Sequence, residues 1–377
     1  MGVYITDFNA CCNLGSNIND IYRQAIQGKN KFKSVQDLLL NKTVRLACVD
    51  TDLPQINIDI FNTRCNQLIL HNLLQLKEKI EQIKSKYSEE NIAVVVATTN
   101  SGVEEYSKTQ KKYYSELGNP AQFVRDYLNL KNCYLTVSTA CSSGIKAFSI
   151  ARNLIKNKIA LAAIVIGVDP ISRVPLFGFD SLEVLSDLKT NPLSQNRSGI
   201  NIGEAVATFI VEEDVLDGIE IKGIGETTDT YHATTPDPEG KEVINAIQIA
   251  LNEACMQTTD IDYINLHGTG TFANDSMEAN VINKLFGNIT PVSSTKPLTG
   301  HCLGAAAGIE IALCCELLNN FEGLLYPHLY DEEYDSSLPL INLVQANKKY
   351  EKCTTCMCNS FGFGGTNAII ILRKENG

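Results

Sequence analysis

A cysteine stands in the run VSTACSSG (residues 137–144), with small residues on both sides of Cys141. Upstream, NCYLTV is β-branched and aromatic and reads as a strand; downstream, IKAFSIARNLI reads as a helix. A thiol at a strand-to-helix corner faces unsatisfied N–H groups and the positive end of the helix dipole, which favours the thiolate. Small neighbours let a substrate carbonyl approach. The chemistry this predicts is acyl transfer to sulfur, by the logic of the nucleophile elbow of serine hydrolases. The alternative is an inert, buried cysteine.

Five histidines accompany it: His71, His232, His267, His301 and His328. His267 opens HGTGT at the end of the strand-like INL, and His301 closes SSTKPLTGH at the mouth of an apolar segment. Both fall at corners between regular elements, where side chains converge on pockets. A lone histidine is more often structural. Two in Gly/Thr-rich corners, with Lys296 just before one of them, point to a site. NSFGFGGTN (359–367) reads as a glycine loop before the last strand, AIIIL. Its N–H groups could hold an oxyanion, or it is a plain turn.

These corners need a scaffold. IAVVVAT (92–98), ALAAIVIG (160–167) and AVATFIVEE (205–213) read as buried strands. Between them Ile145, Phe148, Ala151, Leu154 and Ile155 form one helical stripe. The second half echoes the first. IEIKGIGETTD (219–229) matches VYITDFNACC; Ile244, Ile247, Leu251 and Cys255 share a helix face; IDYINLHGTGT (261–271) runs a strand into a corner, as LTVSTACSSG does. The expectation is a layered α/β chain of two similar halves, 1–215 with the cysteine and 216–377 with both catalytic histidine candidates. GHCLGAAAGIEIALCCELL (300–318) is apolar or small nearly all round, so it predicts a helix sandwiched between sheets.

Bulk composition narrows the function. The chain has 377 residues, 44% hydrophobic and 20% charged, the balance of a globular protein with a large core. No apolar run is long enough for a membrane span, and MGVYITDFNACC lacks the pattern of a signal peptide. Thirteen cysteines without a paired framework fit reduced thiols in a cytoplasm. Cys353, Cys356 and Cys358 have metal-like spacing but no second pair, so packed small hydrophobes are expected, with no metal or cofactor. A formal charge of −11 argues against nucleic acid. Arg64 and Lys111–Lys112 remain as basic spots for an acidic partner, or as a solvated face.

Four motifs now stand in order: TACSSG, HGTGT, STKPLTGHCLGAAAG and NSFGFGGTN. Over nearly the whole chain they closely resemble the β-ketoacyl-acyl-carrier-protein synthases, the elongating condensing enzymes of fatty-acid and polyketide synthesis. DTYHATTPDPEG (229–240) and NRSGINIGEA (196–205) fall where that family has related segments. The resemblance implies the thiolase fold, five layers αβαβα in two pseudo-repeated halves around a buried helix pair, usually as a dimer. It implies that Cys141 takes the acyl chain from a phosphopantetheine arm. His267 and His301 would flank a malonyl thioester and stabilise the enolate left by decarboxylation, and the backbone N–H groups of Cys141 and Phe363 would hold the oxyanion. Lys296 and Glu310 would order the site electrostatically. Thr269 and Thr271 would bond the pantetheine arm, Phe363 would gate the acyl chain, and Phe179 would line its pocket.

Departures from the family pattern refine the expectation. Ser198 replaces a common aspartate. Glu183 lies near where carrier-binding enzymes have a basic residue, which leaves Arg64, Lys111 and Lys112 for docking. Asn100 and Ser101 stand where housekeeping enzymes line the acyl pocket with apolar side chains and glycine. VVATTNSGVEEY, TVSTACSSGIKAF and GFDSLEVLS look most like the ketosynthases of aryl-polyene and flexirubin-type pigment clusters. The implied partners are an acyl carrier protein and either a second copy or a chain-length-factor-like homologue. A housekeeping fatty-acid ketosynthase, a thiolase and a non-catalytic chain-length factor are the alternatives.

Overall fold

The computed structural model describes residues 2–37, 42–215 and 217–374, so residue 216, where the two halves were expected to meet, lies outside the described residues. The strands are β1 (Val3–Cys12), β2 (Lys33–Asp37), β3 (Lys42–Ala47), β4 (Ile92–Ala97), β5 (Tyr134–Val137), β6 (Ala162–Asp169), β7 (Ile202–Gly203), β8 (Ala205–Glu213), β9 (Ile219–Thr228), β10 (Tyr263–Asn265), β11 (Val292–Ser293), β12 (Thr355–Gly362) and β13 (Thr366–Arg373). The helices are α1 (Ile18–Ile26), α2 (Arg64–Gln75), α3 (Lys77–Tyr87), α4 (Val103–Thr109), α5 (Asn119–Leu128), α6 (Ser143–Lys156), α7 (Arg173–Ser181), α8 (Lys241–Ala254), α9 (Phe272–Phe286), α10 (Lys296–Thr299) and α11 (Ala306–Asn319).

Ten strands form one sheet in the order β11-β10-β12-β13-β9-β1-β8-β6-β4-β5, and β2, β3 and β7 form a small second sheet. Read outward from its middle, each five-strand array runs first, fifth, fourth, second, third strand. The repeated sequence pattern is thus a repeated strand order. The arrays meet where β1 pairs with β9 through Tyr4–Glu220 and Ile5–Ile219.

Alternation along the strands builds the layers, because successive side chains point to opposite faces. Ala93, Val95 and Ala97 of β4 enter the central core; Ile92, Val94 and Val96 enter an outer core under α2, α3 and α5. Ala368, Ile370 and Leu372 of β13 also enter the central core, while Ile369 and Ile371 meet α8 and α9. Each array is therefore covered on both faces and shares α6 and α11 with the other. This is the five-layer, thiolase-like arrangement. In α11 thirteen of fourteen residues are buried, as its apolar circumference predicts. A Cβ on Gly144 of α6 would lie 2.8 Å from Ala307 Cβ and 2.9 Å from Gly308 N of α11, so only glycine permits this helix crossing.

Two local expectations change. The apolar segment becomes α-helical only at Ala306, and a 3-10 turn, Leu303–Ala305, separates it from His301. NSFGFGGTN is no loop: Asn359–Gly362 pair with Thr366 and its successors as a β12–β13 hairpin, leaving Phe363–Gly365 as the turn. Pairing satisfies backbone groups that the glycine content left open. The strand that IDYINLHGTGT was expected to run into a corner is β10, Tyr263–Asn265, and HGTGT is that corner. Cys356 and Cys358 face the central core, where the Cys358 and Cys314 sulfurs lie 3.3 Å apart; all thirteen cysteines are free thiols. No helix among the described residues is long and apolar enough to cross a membrane.

Candidate active site

Cys141 sits between β5 and α6, on a corner held by hydroxyls. Ser143 Oγ donates to Ala140 O and accepts from Thr139 N–H, and Ser142 Oγ donates to Thr139 O. These bonds explain the small polar residues of the motif. They also hold Ala140 at φ 53°, the left-handed region, a strain of the kind that collects beside nucleophiles. From β12, Ser360 Oγ donates to Cys141 O at 2.7 Å. A Cβ on Gly362 would come within 3.0 Å of Thr139 O, so the hairpin must be bare there.

His301 Nε2 lies 3.0 Å from Cys141 Sγ. Its Nδ1 accepts the N–H of Leu303 at 3.1 Å, which leaves the ring proton on Nε2, facing the cysteine. His267 ends the segment after β10, with its ring 5.6 Å from that of His301, centroid to centroid, and nearly perpendicular to it. Its Nδ1 lies 3.3 Å from Lys296 Nζ, which bonds Glu310 Oε1 at 2.6 Å. An ammonium can only donate, so His267 also carries its proton on Nε2. The ligand atoms of Cys141, His267 and His301 lie within 4.8 Å of one another, a spacing a metal would accept. These tautomers instead present two N–H donors to the space beside the sulfur, the geometry for a developing oxyanion.

Lys296 and Glu310 are almost wholly buried, and removing one partner from such a pair costs roughly 3–5 kcal/mol. Two residues outside the four motifs hold the backbone of the neighbouring corners. Glu278 of α9 accepts from His267 N–H, Gly268 N–H and Asn359 Nδ2. His328 accepts from Ser294 N–H, and Ser294 Oγ in turn donates to Gly268 O, so the two corners are buckled together.

A cavity of about 320 Å³ opens over Cys141, His267 and His301. Thr269 and Thr271 line it, their hydroxyls 2.9 Å apart. At its mouth the Phe179 and Phe363 rings lie 5.5 Å apart, Phe179 also packing 6.4 Å from the His301 ring. Asn100 does not line this cavity: its Nδ2 points to Pro170 O. Among the basic spots, Arg64 is committed to Glu204 through two bonds and Lys111 to Asp59. Ser198 bonds Ser186, and the neighbouring Arg197 finds its carboxylate in Asp335.

Burial pushes the Cys141 thiol up to about 12, Lys296 being the main opposing charge. The direction is opposite to the one expected from the helix end, because burial outweighs the charges that favour the thiolate. Burial, then Lys296, holds both imidazoles well below the ordinary histidine range. The resting pair is a neutral thiol beside a neutral imidazole. Alkylation of Cys141 by iodoacetamide, followed by peptide mapping, should therefore accelerate about tenfold per pH unit from about pH 7 to about pH 10. A plateau near neutrality, the mark of a thiolate–imidazolium pair, would contradict this.

The sequence matches the description "Beta-ketoacyl synthase, N-terminal domain" over residues 62–215 and "Beta-ketoacyl synthase, C-terminal domain" over 219–328. The chain belongs to the β-ketoacyl synthase family. This condensing, acyltransferase-type synthase is 28% identical to 3-oxoacyl-[acyl-carrier-protein] synthase 2 of Coxiella burnetii, over 99% of this chain and 98% of the relative. It is 29% identical to nodulation protein E of Rhizobium leguminosarum bv. trifolii, over 99% of each. Among solved structures, the ketosynthase ApeO from Xenorhabdus doucetiae, in complex with its chain length factor ApeC, superposes with a TM-score of 0.93. The synthase shares 37% identity with that chain, covering 99% of its own length and 98% of the other.

Proposed function

We propose that this synthase lengthens a carrier-bound acyl chain by two carbons, with Cys141 as nucleophile and His267 and His301 as the donors that stabilise the enolate. The observation that carries the reading is the pair of Nε2–H groups converging beside a buried thiol, with Lys296 and Glu310 fixing one of them. In the first step the Cys141 sulfur attacks the acyl thioester; the C–S bond to the carrier arm breaks, and the thiol proton leaves with the carrier thiol. In the second, malonyl-carrier protein loses CO₂. The electron pair enters the thioester as an enolate, whose oxygen accepts from the two imidazoles. The carbanion attacks the acyl carbon, its C–S bond breaks, and Cys141 regains a proton from solvent. The backbone N–H groups of Cys141 and Phe363 hold the tetrahedral oxyanion, and Thr269 and Thr271 receive the pantetheine arm.

The substrate we favour is an aryl-polyene type chain, with an acyl carrier protein and a chain-length-factor-like homologue as partners. Supporting this are the likeness to ApeO, which is paired with such a factor, and the pigment-type motifs around Cys141 and Phe179. Thirteen free thiols favour a reducing compartment, the cytoplasm. Fatty-acid elongation is the second reading, favoured by the full-length likeness to the Coxiella enzyme. Intact-protein mass after mixing with aliphatic and aryl acyl-carrier thioesters separates them. An aryl adduct on Cys141, converted by malonyl-carrier protein into a product two carbons longer, is the expected result. Preference for aliphatic donors would select the second reading. A β-keto product formed from acetyl-CoA without malonyl-carrier protein would overturn both.

A further inference from the structure

Asp169 ends β6 and is wholly buried, yet no motif marks it. Its carboxylate gathers two separate segments. Oδ1 accepts from Thr98 Oγ1 at 2.7 Å and from the N–H groups of Thr99 and Asn100 at 2.9 Å each. Oδ2 accepts from Thr99 Oγ1 at 2.6 Å and from Gly304 N–H at 2.7 Å. The polar run that stands out in the sequence at 98–100 is thus turned toward this carboxylate and away from the cavity.

Gly304 belongs to the Leu303–Ala305 turn that follows His301. In that turn Leu303 is held at φ 53°, a left-handed conformation a leucine keeps only when its surroundings impose it. The same Leu303 donates its N–H to His301 Nδ1. A Cβ on Gly304 would lie 2.7 Å from Asp169 Oδ2 and 3.0 Å from Thr99 Cγ2, so the close grip also needs glycine. The contacts therefore run without a gap from Asp169 through Gly304 and Leu303 to the ring nitrogen of His301 that faces away from Cys141.

We propose that Asp169 is a positioning residue for the decarboxylation step: by gripping Gly304 it holds the Leu303 turn and so fixes His301 as the Nε2–H tautomer aimed at the cavity. This rests on the role proposed for His301. A carboxylate is suited to the task because it only accepts, and the converging groups are all donors. An asparagine in its place would turn an NH₂ group toward at least one of those donors, and the turn would have to shift. A small displacement at a donor of this kind costs roughly 10²-fold in rate.

The test uses the full chain with ¹⁵N-labelled histidine. It reads acyl loading of Cys141 by intact mass, ¹⁴CO₂ release from labelled malonyl-carrier protein, and the ring ¹⁵N shifts of His301, assigned by loss of its signals in His301→Ala. Asp169→Asn should keep acyl loading, lose CO₂ release roughly 10²-fold and show the Nδ1–H form of His301. Gly304→Ala, whose new methyl displaces the carboxylate oxygen, should do the same and provides a second route to the result. Thr98→Val removes one bond to Oδ1 and the acceptor of the Ser101 N–H, leaves the grip on Gly304, and should keep both steps and the parent shifts. Equal loss of loading and CO₂ release in the first two variants, an unchanged His301 tautomer, or failure of both to fold would overturn the proposal. If the parent protein releases no CO₂, the reading of His301 fails instead, and the tautomer shifts still decide whether Asp169 positions that ring.

Discussion

Cys141→Ser should lose acyl loading, and condensation with it, by on the order of 10⁴-fold or more. The fold itself predicts this severity. The cavity already pushes the Cys141 thiol up to about 12, and an alcohol is a far weaker acid than a thiol. Nor do the described residues beside the sulfur offer it a base. His301 uses Nδ1 to accept from Leu303 and presents Nε2–H to residue 141, and His267 faces an ammonium in the same way. A serine would meet a donor where it needs an acceptor. Its size fits, so thermal unfolding should be almost unchanged, and intact mass should show no adduct with any acyl-carrier donor. Loading at the parent rate would remove Cys141 from the chemistry.

His301→Ala should divide the two half-reactions. Acyl transfer consumes a thiol and returns a thiol, and it needs no imidazole proton. Decarboxylation builds negative charge on one oxygen, and deleting one of two donors to such an oxygen costs roughly 10²–10³-fold. The expected result is near-parent loading of Cys141 with CO₂ release reduced by about that factor. Equal loss of both steps would assign His301 to acyl transfer. His267→Ala is a harsher change, because it also removes one of the two close partners of Lys296 Nζ and leaves it Glu310.

Much of this site was legible in residue order. Runs such as IAVVVAT and AVATFIVEE are apolar on both faces because both faces are covered, and they appear as β4 and β8. The cysteine and histidine corners converge because each follows a strand of the one sheet. What stayed hidden depends on long-range burial or on backbone donors. The upward push on the Cys141 thiol comes chiefly from burial, which no local motif reports. Glu278 and Asp169 bond mainly to N–H groups, and a sequence does not display where those groups point. Glycines made 359–367 read as a loop, while pairing with β13 makes most of it a strand. Arg64 and Lys111 read as basic spots for an acidic partner or as a solvated face, and the carboxylates that pair with them come from distant or unmarked positions, Glu204 and Asp59.

The repeated strand order has one more consequence. Cys141 follows β5, the third strand of the first array, and Lys296 and His301 follow β11, the third strand of the second. They occupy the same corner in two copies of one plan. In one copy the corner presents an electron-rich atom; in the other it presents a cation and a hydrogen-bond donor. On the roles proposed above, duplication has here become a division of labour: a reaction's opposite poles are entrusted to twin positions, and neither twin has anything to act upon until the other faces it.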